Sequence, residues 1–92
     1  MMKVRTQENE DRLILHVEGR LAGAFVPELE NSWRAARTSH PGRPISVDLK
    51  AVTCVDRSGQ QLLRLMHREG VVFLGAGLAT QDILDQVAEA QE

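Results

Sequence analysis

Cys54 is the single cysteine of the 92-residue chain, so no internal disulfide can form, in agreement with a reducing compartment. No apolar run approaches the ~18 residues that a membrane span needs, and the Met1-Met2-Lys3 start leads into polar residues rather than a signal-peptide core. The expected location is the cytoplasm, with no insertion into a membrane. Internal repeats, low-complexity tracts and linkers are missing as well. Basic residues are neither in excess nor clustered: 11 Lys and Arg stand against 13 Asp and Glu, a net charge of −2, which disfavours DNA or RNA as a partner. His16, His40 and His67 are too far apart for a recognisable ligand spacing and have no second cysteine to help them, so neither a metal nor a cofactor is expected. The length fits one domain, residues 1–92. A domain this small buries only about 60 to 65% of the surface its unfolded chain exposes, which leaves little for a deep enclosed site and places function on the surface.

What is present is an alternation of patterns. Leu13, Leu15 and Val17 alternate with His16 and Glu18, the period of a strand buried on one face, although Ile14 breaks strict alternation. The polar stretch from Gln7 to Asp11 has turn chemistry and predicts a hairpin with a short strand over Lys3 to Thr6. Phe25, Val26, Leu29, Trp33 and Ala36 then fall at helical spacing and predict a helix from about Ala24 to Arg37, with Pro27 tolerated near its start and Trp33 read as core. Ser39-His40-Pro41-Gly42 cannot continue it. Ile45, Val47 and Leu49 predict a second core strand, extended through Val52, Cys54 and Val55, with Cys54 read as a small buried hydrophobe.

From Ser58 an amphipathic helix carries Leu62, Leu63, Leu65, Met66 and Glu69, and Gly70 sits where a C-terminal glycine belongs. Val71 to Leu74 reads as a strand covered on both faces of a parallel sheet. Gly75-Ala76-Gly77 ends it as a tight turn, lacking the Lys-Ser/Thr of a P-loop and the third glycine of a dinucleotide fingerprint. Thr80 is the expected cap of a last predicted helix, whose Ile83, Leu84 and Val87 would face the core. The expected fold is α/β, ordered ββαβαβα, with a mostly parallel sheet of about four strands and helices packed on it.

The informative segment runs from Val47 to Gly59, where a strand passes through a turn into a helix and shows Ser58 to solvent. On the residues alone Ser58 reads first as a helix N-cap, Asp56 as a local backbone acceptor and Arg57 as a solvated side chain. Arg57 also suits pairing with an added phosphate. A phosphate on Ser58 would meet the free amides of the helix start, a contact worth about 0.3 to 1 kcal/mol for an exposed anion. It would also bring about −1.5 to −2 charges into any docked interface and break it by repulsion and desolvation.

These pieces together resemble the STAS domains, typified by bacterial anti-sigma factor antagonists. The resemblance spans nearly the whole chain and rests on Val17-Glu18-Gly19-Arg20-Leu21, on Val47-Asp48-Leu49 with Val52 and Val55, on Asp56-Arg57-Ser58-Gly59 and on the glycine-bounded strand from Gly70 to Gly75. In partner-switching members an Asp-x-Ser-Gly motif supplies a serine that a kinase, itself the anti-sigma factor, phosphorylates, and the unmodified protein binds that kinase and frees the sigma factor. The resemblance implies that Ser58 is the phosphorylated residue and that Asp56, Arg57, Ser58, Gly59 and Gln60 meet the partner.

Several positions depart from the family pattern. Ala22 stands where many antagonists have an aspartate, which implies a different partner specificity, and Gln60 in place of the usual apolar residue with Arg57 in place of the common small one implies a contact face more polar than the family norm. The chain resembles a compact branch without the usual C-terminal strand and helix. A second reading is an accessory subunit bracing the ATPase of a lipid-type membrane transporter without phosphorylation. An enzyme is the third and is disfavoured, since no acid–base or nucleophile–base pair is locally arranged. Self-association as a homodimer stays open.

Overall fold

A computed structural model describes residues 2–75 of the chain. The elements run β1 (Met2–Glu8), β2 (Leu13–Leu21), α1 (Phe25–Ser39), β3 (Ile45–Val55), α2 (Arg57–Arg68) and β4 (Val72–Leu74). The sheet order is β1-β2-β3-β4, with β1 antiparallel to β2 and with β2, β3 and β4 mutually parallel. This is the α/β architecture expected from the alternating periods. The last expected helix, from Thr80, lies outside the described residues, as do Ala76 and Gly77 of the expected turn.

The period-2 pattern decides which face is buried. Leu13, Leu15 and Val17 of β2 and Val47 and Leu49 of β3 are all but sealed from solvent. They share one core with Val26, Leu29, Trp33 and Ala36 of α1 and with Leu62, Leu63 and Met66 of α2. Both helices therefore cover the same side of the sheet. The opposite side carries Lys3, Arg5 and Gln7 against Glu18, His16 and Ile14, register partners across the hairpin. Trp33 is 1% exposed, as the helical stripe predicts, and the guanidiniums of Arg34 and Arg37 lie 5.6 and 5.1 Å from its ring centroid.

Some expectations are corrected. The hairpin is longer than Lys3 to Thr6, because Gln7 and Glu8 pair with Ile14 and Leu13 and only Asn9 to Arg12 turns. There the Asn9 carboxamide oxygen accepts from the amides of Asp11 and Arg12. The second core strand does run through Val52 and Cys54 to Val55 as the residues predict, with register shifts against β2 between His16 and Glu18 and between Gly19 and Arg20. Cys54 in this extension is half-buried rather than enclosed. The strand after Gly70 is not covered on both faces, since Val72 is 51% exposed. Among the described residues it is the outer strand of the sheet order, and the two described helices occupy only one side. Gly70 itself, at φ +92°, ends α2 as expected, in a conformation that costs any other residue dearly.

Candidate functional site

The turn between β3 and α2 is held against the end of β2. The Asp56 amide donates to the Leu21 carbonyl at 3.2 Å, so the chain leaves the sheet beside the start of the β2–α1 connection. Gly59, one turn into α2, is buried there. A Cβ on it would lie 2.5 Å from the Leu21 carbonyl oxygen and 2.8 Å from Val55 Cγ1, so only glycine admits this approach.

Asp56, not Ser58, is the N-cap of α2. Its backbone is extended (φ −86°, ψ −174°), whereas Arg57 already begins the helix, and its Oδ1 accepts from the Gly59 amide at 2.8 Å. Ser58 therefore sits within the first turn, and its hydroxyl donates to the same Oδ1 at 2.9 Å. The second carboxylate oxygen reaches across the sheet end and accepts from the Gly23 amide at 2.9 Å. One carboxylate thus serves three donors on two connections 33 residues apart in sequence. These bonds, from the Gly59 amide first, then the Gly23 amide and the Ser58 hydroxyl, hold the Asp56 carboxyl below the ordinary aspartate range.

The stability that comes with this depression is fully present above the ordinary aspartate value of 3.8 and is lost as pH falls through the lower folded value. Asp56→Ala is expected to lower the melting temperature by about 4 to 8 °C at neutral pH. The gap to the parent protein should narrow in melts taken below pH 3.8. A gap independent of pH would show that the carboxylate charge contributes nothing.

The five consecutive residues expected to meet a partner differ in exposure. Arg57 and Ser58 are exposed, Asp56 and Gln60 half-buried, and Gly59 buried. Gly59 therefore shapes the site from beneath. The first-turn amide that would have met a phosphate on Ser58 is already held by Asp56. Gly23 was not anticipated: at φ +57° it turns the chain out of β2, but nothing in the sequence couples it to a residue beyond β3.

A second polar group lies on the side of the sheet opposite α1 and α2. His16 Nδ1 donates to Asp48 Oδ2 at 2.8 Å and its Nε2 lies 2.7 Å from Gln7 Oε1, joining three strands. Burial pushes the Asp48 carboxyl up, but the Lys50 amide bond, the His16 hydrogen bond and the Lys50 charge together outweigh it and hold the group below its ordinary value. The pair floors an open groove of about 710 Å³ rimmed by Lys3, Arg5, Glu18 and Lys50. His40 pairs instead with Glu8 at 2.8 Å. Among the described residues no group of three or more His, Cys, Asp or Glu side chains is placed to hold a metal ion, and no helix is long and apolar enough to cross a membrane.

No protein-family model and no curated protein matches this sequence. Solved structures do match. An anti-sigma factor antagonist from Mycobacterium paratuberculosis superposes with a TM-score of 0.83 at 18% identity, over 99% of this chain and 81% of that one. The STAS domain of an antisigma-factor antagonist from Rhodobacter sphaeroides gives a TM-score of 0.61 at 25% identity, over 87% of this chain and 92% of the other.

Proposed function

Since this chain has the STAS fold, we propose that it is a protein-binding regulator of the anti-sigma factor antagonist kind, switched by phosphorylation of Ser58. The partner is a serine kinase of the anti-sigma type, met through Asp56, Arg57, Ser58 and Gln60 over the surface that Gly59 shapes. The observation that carries this reading is the Ser58 hydroxyl, exposed at the first turn of α2 and oriented by the Asp56 carboxylate 2.9 Å away, in a chain whose structural neighbours are anti-sigma factor antagonists.

In the switching step the Ser58 oxygen forms a bond to the terminal phosphorus of a nucleoside triphosphate held by the kinase. The bond to the bridging oxygen breaks, the nucleoside diphosphate leaves, and the hydroxyl proton passes to the kinase or to water. The product carries about −1.5 to −2 charges at neutral pH. Because Asp56 already occupies the Gly59 amide and is itself ionised at neutral pH, the added charge finds repulsion before it finds donors. A partner face shaped for a neutral hydroxyl then loses its fit by like-charge contact and desolvation.

The test is capture of partners from the cells that express the protein, using the parent chain, Ser58→Ala and Ser58→Asp. A kinase-type regulator retained by the first two and lost by Ser58→Asp, at least tenfold in affinity on the order expected for charge placed in an interface, supports the switch. Retention of one transporter ATPase by all three forms overturns it in favour of a bracing subunit.

A further inference from the structure

We infer that Asp56 is a latch through which the modification state of Ser58 sets the conformation of the β2–α1 turn at Gly23. The inference rests on the reading of Ser58 as the modified residue. Its basis is the division of labour within one carboxylate: Oδ1 serves Ser58 and Gly59 on α2, and Oδ2 serves Gly23 on the other side of the sheet end. No other hydrogen bond crosses between the Gly23 amide and α2 among the described residues.

Phosphorylation of Ser58 changes this arrangement in two ways. The O–H that donates to Oδ1 at 2.9 Å disappears, and a group of about −1.5 to −2 charges takes its place next to an ionised carboxylate. The phosphate oxygens also compete with the carboxylate for the Gly59 amide, since the first turn of a helix favours an anion. The carboxylate is then repelled from the first turn while its role there is filled by the phosphate. As Asp56 turns away, Oδ2 leaves the Gly23 amide. The turn from Ala22 to Ala24, which leads directly into half-buried Phe25 at the head of α1, loses its tie to α2. A partner that touches both connections would therefore sense the phosphate through the altered turn as well as by direct contact.

The measurement is amide hydrogen exchange by NMR on the full chain, with phosphoserine installed at position 58 during translation, so that no kinase is needed. The latch predicts that the Gly23 amide exchanges about tenfold faster in the phosphoserine protein, as expected when a bond to a charged acceptor is lost. The Gly59 amide should keep its protection, because the phosphate replaces the carboxylate there. Ser58→Ala, which removes the hydroxyl without adding charge, should leave the Gly23 rate as in the parent. In Asp56→Asn, phosphoserine should make no difference at Gly23. An unchanged Gly23 rate in the phosphoserine protein overturns the latch, and so does an equal loss of protection throughout α2, which would mean general loosening. Either result leaves the Ser58 switch to be decided by partner capture. Failed capture in turn overturns the switch without affecting what the exchange rates say about Asp56.

Discussion

Trp33→Ala is expected to cost about 3 to 5 kcal/mol, the usual consequence of emptying the site of a large buried aromatic. A chain of this length holds about 5 to 14 kcal/mol of folding stability in all, so one substitution consumes a large share of it. Trp33 is fully enclosed where α1 meets the sheet, in one cluster with Leu29 and Ala36 of its own helix and Leu13, Leu15 and Leu63 beyond it. Thermal melts should show the transition falling by more than about 12 °C. Arg34→Ala or Arg37→Ala should cost about 0.5 to 1 kcal/mol each, since each removes only an exposed cation over the ring and a surface ion pair. If Trp33→Ala melted no lower than the arginine variants, the indole would not be part of the core.

The second large effect is expected at Gly59. Alanine at an ordinary helical glycine stabilises by up to about 1 kcal/mol. Here its Cβ would stand 2.5 Å from the Leu21 carbonyl oxygen and 2.8 Å from Val55 Cγ1. Contacts that close force the backbone to shift, and overpacking of this kind costs about 1 to 3 kcal/mol. Gly59→Ala should therefore be destabilised despite its better propensity, and Gly59→Val, with two further methyls and a stiff χ1, should lose about 3 kcal/mol. Trimming Val55 to alanine should not rescue either variant, because the closest atom is a backbone oxygen that no side-chain change removes. Denaturant midpoints of the single and double variants decide this, and full rescue by Val55→Ala would contradict the geometry. The functional consequence is direct: parting α2 from the end of β2 carries Asp56 away from Gly23 and misplaces Ser58.

Much of this was visible in the residue order, for identifiable reasons. The strand periods at Leu13, Leu15 and Val17, the stripe through Val26, Leu29, Trp33 and Ala36 and the glycine stop at Gly70 are local patterns, and local patterns determine which face is buried. The residue order does not single out the cap of α2, because Asp56 and Ser58 are both good capping residues two positions apart. Which of them caps depends on where the backbone becomes helical, and that is set by the tie from the Asp56 amide to Leu21 on another strand. The exposure of Val72 was illegible because a short apolar run suits a central and an outer strand alike, and only the sheet order separates them. Gly23 entered the site for a similar reason: its partnership with Asp56 spans 33 residues and leaves no spacing signal.

The most direct test of Ser58 as the proposed site of reversible charge is phosphopeptide mass spectrometry of the protein isolated from its own cells. The tryptic fragment from Ser58 to Arg64 contains no other hydroxyl-bearing residue, so a phosphate on it is assigned without ambiguity. A phosphorylated fraction of this fragment is expected, absent from the protein recovered in complex with its partner. Phosphate at Ser58 in the partner-bound protein, or none at Ser58 in any growth condition, would contradict the proposed switch.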